Sequence, residues 1–463
     1  MPNPTRRDAV IADIQRRIAT RMLMAGDKLP SIRAAAQKFD LSPTTVADAY
    51  DRLVADGSIT ARRGAGFFVA DKPQAFSVSE TGPQLAREVD PLWVARQSID
   101  SDPALEKPGC GWLPSGWMPL TSLRKSLRAV TAAPEALLTD YAPARGHAGL
   151  RRLVSSRLLD QGLSAPPNQN ILLTGSGSQA LDLICRLILR PGDTVVLDDP
   201  CYFNFQALMR AHQIRFVSVA YTRDGPDLAA FEQVLRTHRP RLYLTNSALH
   251  NPTGATITAP VAHRVLSLAA AHDVLIVEDD IFSEFEPDMS PRLATLDGLD
   301  RVLRVGSFTK TLSASLRCGY IAARADWVEA LIDLQVASQF SGPSPMIAEV
   351  LHRALTDGSY RKHMQALQHR LSQGRRAAMQ NLESLGLHIW VKPRGGFYLW
   401  CQLPKGIDAA KLARLALEQN LVLAPGNVFS PSQSKPHHMR FNVSQMADAS
   451  LYDRLQDLMK KVS

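Results

Sequence analysis

No stretch of this 463-residue chain approaches the ~20 consecutive apolar residues that span a bilayer, and its opening, MPNPTRRDAVIADIQRR, is charged where a secretory signal would be apolar. Helical membrane proteins are thereby excluded, and a cytoplasmic location without membrane contact is expected. Cysteine is scarce: Cys110, Cys185, Cys201, Cys318 and Cys401 are odd in number and widely separated. That spacing argues against a disulfide framework and a zinc ribbon, so reduced, packing thiols and no metal are expected. Internal repeats and low-complexity tracts are missing as well. What is present is a globular composition, 45% hydrophobic and 21% charged, on a chain too long for one core, so two or three domains are expected. A formal charge of +9 favours anionic partners, either nucleic acid or a phosphorylated small molecule.

Glutamate is absent from residues 1–70, where eleven Lys/Arg meet seven Asp. Val10, Ile11, Ile14, Ile18 and Met22 recur at helical spacing and predict one amphipathic helix ending before Ala25-Gly26-Asp27. A second helix follows in LPSIRAAAQKF, capped by Ser31. A third follows Ser42 and Pro43 and closes at Gly57. SITARR and GFFVAD then predict two short strands joined through Gly64-Ala65-Gly66, which completes a winged helix-turn-helix. Arg33, Arg62 and Arg63 sit where phosphate contacts would set register on DNA, with the start of the third helix facing the bases. The plainer alternative is a solvated charged surface on a helical protein-interaction domain.

Residues 71–95 mix proline, serine, glycine and charge without periodicity and are expected to be a linker between domains 1–70 and 96–463. Beyond it ILLTG, TVVLDD, RLYLTN, VLIVEDD and RVLRVGSF alternate with helical stretches, which predicts an α/β domain with a mostly parallel sheet covered on both faces. Ligands of such sheets collect at the carboxyl ends of the strands. The residues of chemical interest fall there: Ser176-Gly177-Ser178, Tyr202, Asn251, the acids Glu278-Asp279-Asp280, and Lys310 with Arg317 in SFTKTLSASLRCGY. Singly each has an ordinary explanation: a strand-to-helix turn, a core aromatic, a solvated acidic loop.

Jointly they describe a site for pyridoxal 5′-phosphate. Lys310, desolvated among cations, would condense with the coenzyme's aldehyde. Arg317 and the Ser176-Gly177-Ser178 amides would hold the phosphate, helped by Ser307 and Thr309. Asp279 would pair with the pyridine nitrogen, Asn251 would donate to the ring oxygen and Tyr202 would stack.

GDKLPSIRAAAQKFDLSPTTVADAYDRLVADGSITARRGAGFFVAD resembles the DNA-binding domain of the GntR family of bacterial regulators. It departs at Pro43 and Ala47, where that family is often basic, which leaves Thr44 and Thr45 to touch phosphate or bases. YAPARGHAGLR, DDPCYF, HNPTG, VEDDIF, SFTKTLSASLRCGY and MRFNVS, in that order, resemble a fold-type-I aminotransferase with a small C-terminal α+β subdomain. That resemblance implies a homodimer in which Tyr141 reaches the neighbouring subunit's coenzyme phosphate, and it implies that Arg440 grips an α-carboxylate. Phe282 stands where such enzymes commonly carry a tyrosine bonded to the ring oxygen. The fusion resembles the MocR subfamily, which implies a dimeric, DNA-binding transcriptional regulator sensing the coenzyme or an amino compound. A working aminotransferase with a DNA-binding appendage is the alternative, and a coenzyme-free dimerisation scaffold is a third reading.

Overall fold

The computed structural model describes residues 6–19, 23, 26–62, 64–70, 89–99, 102 and 104–462. The chain divides into two units, Met1–Ser79 and Glu80–Ser463.

In the smaller unit three helices, α1 (Arg6–Ala19), α2 (Ile32–Phe39) and α3 (Pro43–Ala55), precede a hairpin of β1 (Ile59–Arg62) and β2 (Gly66–Val69). The expected caps form. Ser31 Oγ accepts from the Ala34 N–H, Ser42 Oγ accepts from the Thr45 N–H, and Pro43 takes the first helical position. Gly57 follows α3 with φ +73°, a left-handed conformation that suits glycine at a helix end. The apolar stripe of the sequence becomes the core: Val10, Ile14, Ala35, Ala36, Val46, Ala49, Tyr50, Leu53, Ile59 and Val69 are buried together. Met22, Ala25, Arg63 and the stretch 71–88 lie outside the described residues.

The larger unit is built on an eight-stranded sheet. Its strands are β3 (Ile171–Thr174), β4 (Thr194–Asp199), β5 (Arg215–Thr222), β6 (Gly225–Pro226), β7 (Leu242–Thr245), β8 (Leu275–Asp279), β9 (Val302–Ser307) and β10 (Gly319–Ala322), in spatial order β3-β10-β9-β8-β7-β4-β5-β6. The β5-β4-β7-β8-β9 run is parallel, whereas β10 is antiparallel to both its neighbours. Both faces are covered, and successive residues divide between them. Ile171, Leu173 and Val196 join one core with helices such as Ala259–Ala271; Leu172, Val195 and Leu197 join the other with Gly177–Ile188. Burial on both faces explains why these strands are continuous apolar runs.

A second, antiparallel sheet of β11 (His388–Ile389), β12 (Tyr398–Gln402), β13 (Ala424–Pro425) and β14 (His438–Asn442), ordered β11-β12-β14-β13, forms the expected C-terminal α+β part. Residues 91–95, expected within the linker, begin instead a helix, α4 (Pro91–Ile99), because Trp93 and Val94 bury into the larger unit's core. Among the described residues no helix is long and apolar enough to cross a membrane. All five cysteines are buried free thiols.

Candidate functional site

Lys310 lies in the turn just beyond β9, and the buried Phe308 of that turn fixes it to the core. Its Nζ donates to the Gly111 carbonyl at 2.7 Å. Burial lowers the amine to about 8, and the positive charges of Arg440 and Arg317 push the same way against Cys110 and Asp279. A fraction of uncharged amine therefore exists near neutral pH.

The three acids ending β8 have separate fates. Glu278 accepts the N–H groups of Leu293 and Ala294 at 2.8 and 2.9 Å, and Ser247 also bonds it. Asp280 is paired with Arg292 at 2.8 Å and with Arg304. Strand alternation turns the residue between them to the other side. Asp279, 3% exposed, has no ion pair among the described residues; its Oδ1 accepts the Ile281 N–H at 3.3 Å. Burial raises this carboxyl to about 7, the nearby Asp280 charge adding to the effect.

Arg440, on β14, is 1% exposed and has no acidic partner among the described residues. Its Nη1 donates to Asn251 Oδ1 at 2.8 Å, its Nη2 donates to the Gly109 carbonyl at 2.7 Å, and Nε is unsatisfied. The guanidinium lies 4.2 Å from the Tyr398 ring centre and 4.7 Å from that of Phe429. A buried cation without a counter-ion is costly, so the site suits an anion. Because Asn251 gives its oxygen to Arg440, its amide nitrogen is the end left for a ligand.

Lys310, Asn251, Tyr202 and Arg440 line one cavity of about 170 Å³. Burial pushes the Tyr202 hydroxyl up to about 12, so it stays protonated. Ser176 caps the helix Gly177–Ile188 by accepting from the Gln179 N–H at 3.0 Å, while Ser178 is exposed at the helix's first turn. Beside that loop the Ser307 hydroxyl donates to Thr309 Oγ1 at 2.9 Å. Arg317 is exposed, with no hydrogen bond or ion pair among the described residues, yet its charge reaches both Lys310 and Tyr202.

Tyr141 is not brought to this cavity. It is 74% exposed, edge-on to Phe340, which is 64% exposed, at 4.8 Å between ring centres. In the smaller unit Arg33 and Thr44 are exposed, the Thr45 hydroxyl is 2.8 Å from Ser42 Oγ in the cap, and Arg62 packs its guanidinium 4.6 Å from the Phe68 ring centre. Arg63 lies outside the described residues. His147, Glu349 and His352 converge in the larger unit, but the geometry opposes a metal there. His147 Nδ1 accepts the Leu150 N–H, so its other nitrogen carries the proton, 3.0 Å from Glu349.

Sequence reasoning missed several lining residues: Gly111 and Trp112, Tyr398 on β12, and Ala95, Ser98 and Ile99 of α4. Tyr398 was detectable in principle, since alternation along YLWCQ and MRFN sets Tyr398 and Arg440 on one face once β12 and β14 pair. Nothing local marks Gly111 or α4.

Residues 114–456 match the family described as aminotransferase class I and II, and residues 6–69 match the bacterial regulatory proteins of the gntR family. The HTH-type transcriptional regulator YdcR of Escherichia coli is 28% identical over 444 residues, covering 93% of this chain and 93% of that protein. The 2-aminoadipate transaminase of Thermus thermophilus is 29% identical over 354 residues, covering 72% of this chain and 85% of that one. Among solved structures, LysN, an α-aminoadipate aminotransferase from Thermus thermophilus complexed with N-(5′-phosphopyridoxyl)-L-leucine, has a TM-score of 0.72 at 26% identity and covers 80% of this chain and 95% of its own. The kynurenine aminotransferase of Pyrococcus horikoshii shares the fold, with a TM-score of 0.71 at 22% identity over 80% of this chain and 93% of that one. The chain therefore belongs to the aminotransferase class I and II family and joins to that domain an N-terminal GntR-family DNA-binding domain, a fusion of the MocR type.

Proposed function

We propose that this protein is a transcriptional regulator that binds double-stranded DNA through its winged helix and pyridoxal 5′-phosphate through its aminotransferase domain, and that an amino compound entering the second site alters the first. The observation that carries the reading is the pairing, in one site, of an amine of depressed basicity, Lys310, with a buried acid, Asp279, that has no ion pair among the described residues. The residues fit the coenzyme. Asp279 lacks the cation that a protonated ring nitrogen would be, and Arg317 with the amides of Ser176, Gly177 and Ser178 offers positive ends to a phosphate. When bound, the coenzyme supplies a carbonyl carbon that takes up a primary amine and a ring that draws electrons from it.

Lys310 would hold the coenzyme, Asn251 would donate to its ring oxygen, Tyr202 would cover its face, and Ser307 and Thr309 would add hydroxyls near the phosphate. Arg440 would bind the carboxylate of an amino acid, so the effector class is carboxylate-bearing amines. A homodimer is part of the proposal. Tyr141 and Phe340 form an exposed aromatic pair, and Leu120 and Leu127 are exposed on the helix Leu120–Val130, which packs on Pro345–Thr356, so a second copy would cover apolar surface and receive Tyr141 beside its own phosphate. A cytoplasmic location follows from the proposed role.

Transmission has a candidate in α4. This helix is the first described element after the 71–88 stretch, and its Ala95, Ser98 and Ile99 line the cavity. Ile99 is 72% exposed, so a ligand filling the cavity would cover apolar surface on the element that leads back to the DNA-binding unit. The test is operator affinity measured with coenzyme alone and with added amino acids. A ligand that changes the coenzyme spectrum and shifts affinity supports the proposal; a spectral change with unchanged affinity refutes it. Lys310, Asp279 and Arg440 together also favour a second reading, a working aminotransferase, which predicts oxo-acid release in single-turnover reactions with amino acids.

A further inference from the structure

Resting on that reading of the site, one residue of the cavity has an unassigned role. Tyr398 is buried as a residue but lines the cavity, and its hydroxyl makes no hydrogen bond to protein among the described residues, which leaves it available to a group in the cavity. The ring is held from two sides: the Arg440 guanidinium lies 4.2 Å from its centre, and Phe282 meets it edge-on at 5.5 Å. The hydroxyl and the Lys310 amine border the same space beside Gly111. A Cβ placed on Gly111 would lie 3.3 Å from Tyr398 Oη and 3.9 Å from Lys310 Nζ, so glycine at 111 leaves one small open space between the hydroxyl and the amine. Phe282 has no hydroxyl and is itself buried. The site thus has a phenol on the β12 wall and none at the end of β8.

We propose that Tyr398 is a specificity-determining residue whose hydroxyl binds the amino group of the entering ligand where it displaces Lys310, while Arg440, on the same face of the paired strands, holds the ligand's carboxylate. The hydroxyl oxygen accepts from the amine N–H and so orients the nitrogen lone pair; no proton leaves the phenol. This contact would be made to the ligand's nitrogen. It therefore differs from a ring-oxygen contact, which a tyrosine at 282 would make.

The test uses full-length protein loaded with pyridoxal 5′-phosphate and the Tyr398→Phe variant, which keeps the ring beneath Arg440. Two quantities are read spectroscopically: the pH midpoint of the coenzyme absorbance without ligand, and the dissociation constant of an amino acid that perturbs the spectrum. Tyr398→Phe is expected to take up coenzyme at the wild-type stoichiometry, to shift the midpoint, and to weaken amino-acid binding about 5- to 10-fold, the loss of one hydrogen bond. Adding Phe282→Tyr to that variant is expected to leave the weakened affinity as it is. A Tyr398→Phe protein matching wild type in both readouts overturns the proposal alone, as does recovery of affinity in the double variant, which would put the contact on the ring oxygen. A wild-type protein that takes up no coenzyme overturns the functional reading as well.

Discussion

Replacing Asp279 with asparagine is expected to stabilise the coenzyme-free protein at pH 8, although the same change weakens coenzyme binding. The carboxyl titrates near 3.8 in an unfolded chain and is raised to about 7 in the fold, chiefly by burial. The folded state therefore binds more protons than the unfolded one between those values. Stability falls as pH rises through that window, and the cost is complete above it. About three units at 1.36 kcal/mol each gives a ceiling of about 4 kcal/mol, which relaxation of the surrounding dipoles reduces to roughly 2–3 kcal/mol. Asparagine keeps the oxygen that accepts the Ile281 N–H and never carries the charge. All six tryptophans, Trp93, Trp112, Trp117, Trp327, Trp390 and Trp400, belong to the larger unit, so their fluorescence follows its unfolding in urea. The variant's midpoint should lie above wild type at pH 8, converge with it near pH 4, and fall below it once coenzyme saturates the wild type. An Asp279→Asn protein less stable than wild type at pH 8 without coenzyme would refute the reasoning.

Arg440→Met should weaken carboxylate-bearing amino acids by at least tenfold in spectral titrations while amines lacking a carboxylate bind as before, because the buried guanidinium has no acidic partner among the described residues. Arg62→Ala should weaken DNA binding about uniformly across sequences and reduce the salt slope of log affinity by about one, measured by fluorescence anisotropy at several salt concentrations. Ser42→Ala removes the α3 cap and should cost the DNA-binding unit about 0.5–2 kcal/mol in thermal unfolding.

The winged helix was legible because its signals are local: Ser31, Ser42, Pro43 and Gly57 mark helix ends by their own chemistry, and Gly64 and Gly66 mark the hairpin. The parallel strands were legible because burial on both faces makes them unbroken apolar runs. β5 was not, since only the two-residue β6 lies beyond it, paired at Tyr221 and Thr222, and RFVSVAYT is mixed in character. β10 was hidden because it begins in the last two residues of SFTKTLSASLRCGY, a stretch read for its functional residues, and is only four residues long. α4 escaped because its hold on the larger unit comes from Trp93 and Val94, in a stretch whose neighbours are polar. The choice of Asp279 among three adjacent acids rests on alternation along β8; the arginines that neutralise Asp280 come from residues 292 and 304, and only folding brings them there. Tyr398 is distant from Lys310 in sequence, and two strands and the Gly111 turn bring them together.

The central claim is that the Lys310 amine carries the coenzyme. Borohydride reduction of the loaded protein, followed by proteolysis and mass spectrometry, tests it directly. The account predicts a phosphopyridoxyl mass on the peptide containing Lys310 and none from a Lys310→Ala protein; a label on another lysine, or no label after loading, would contradict it.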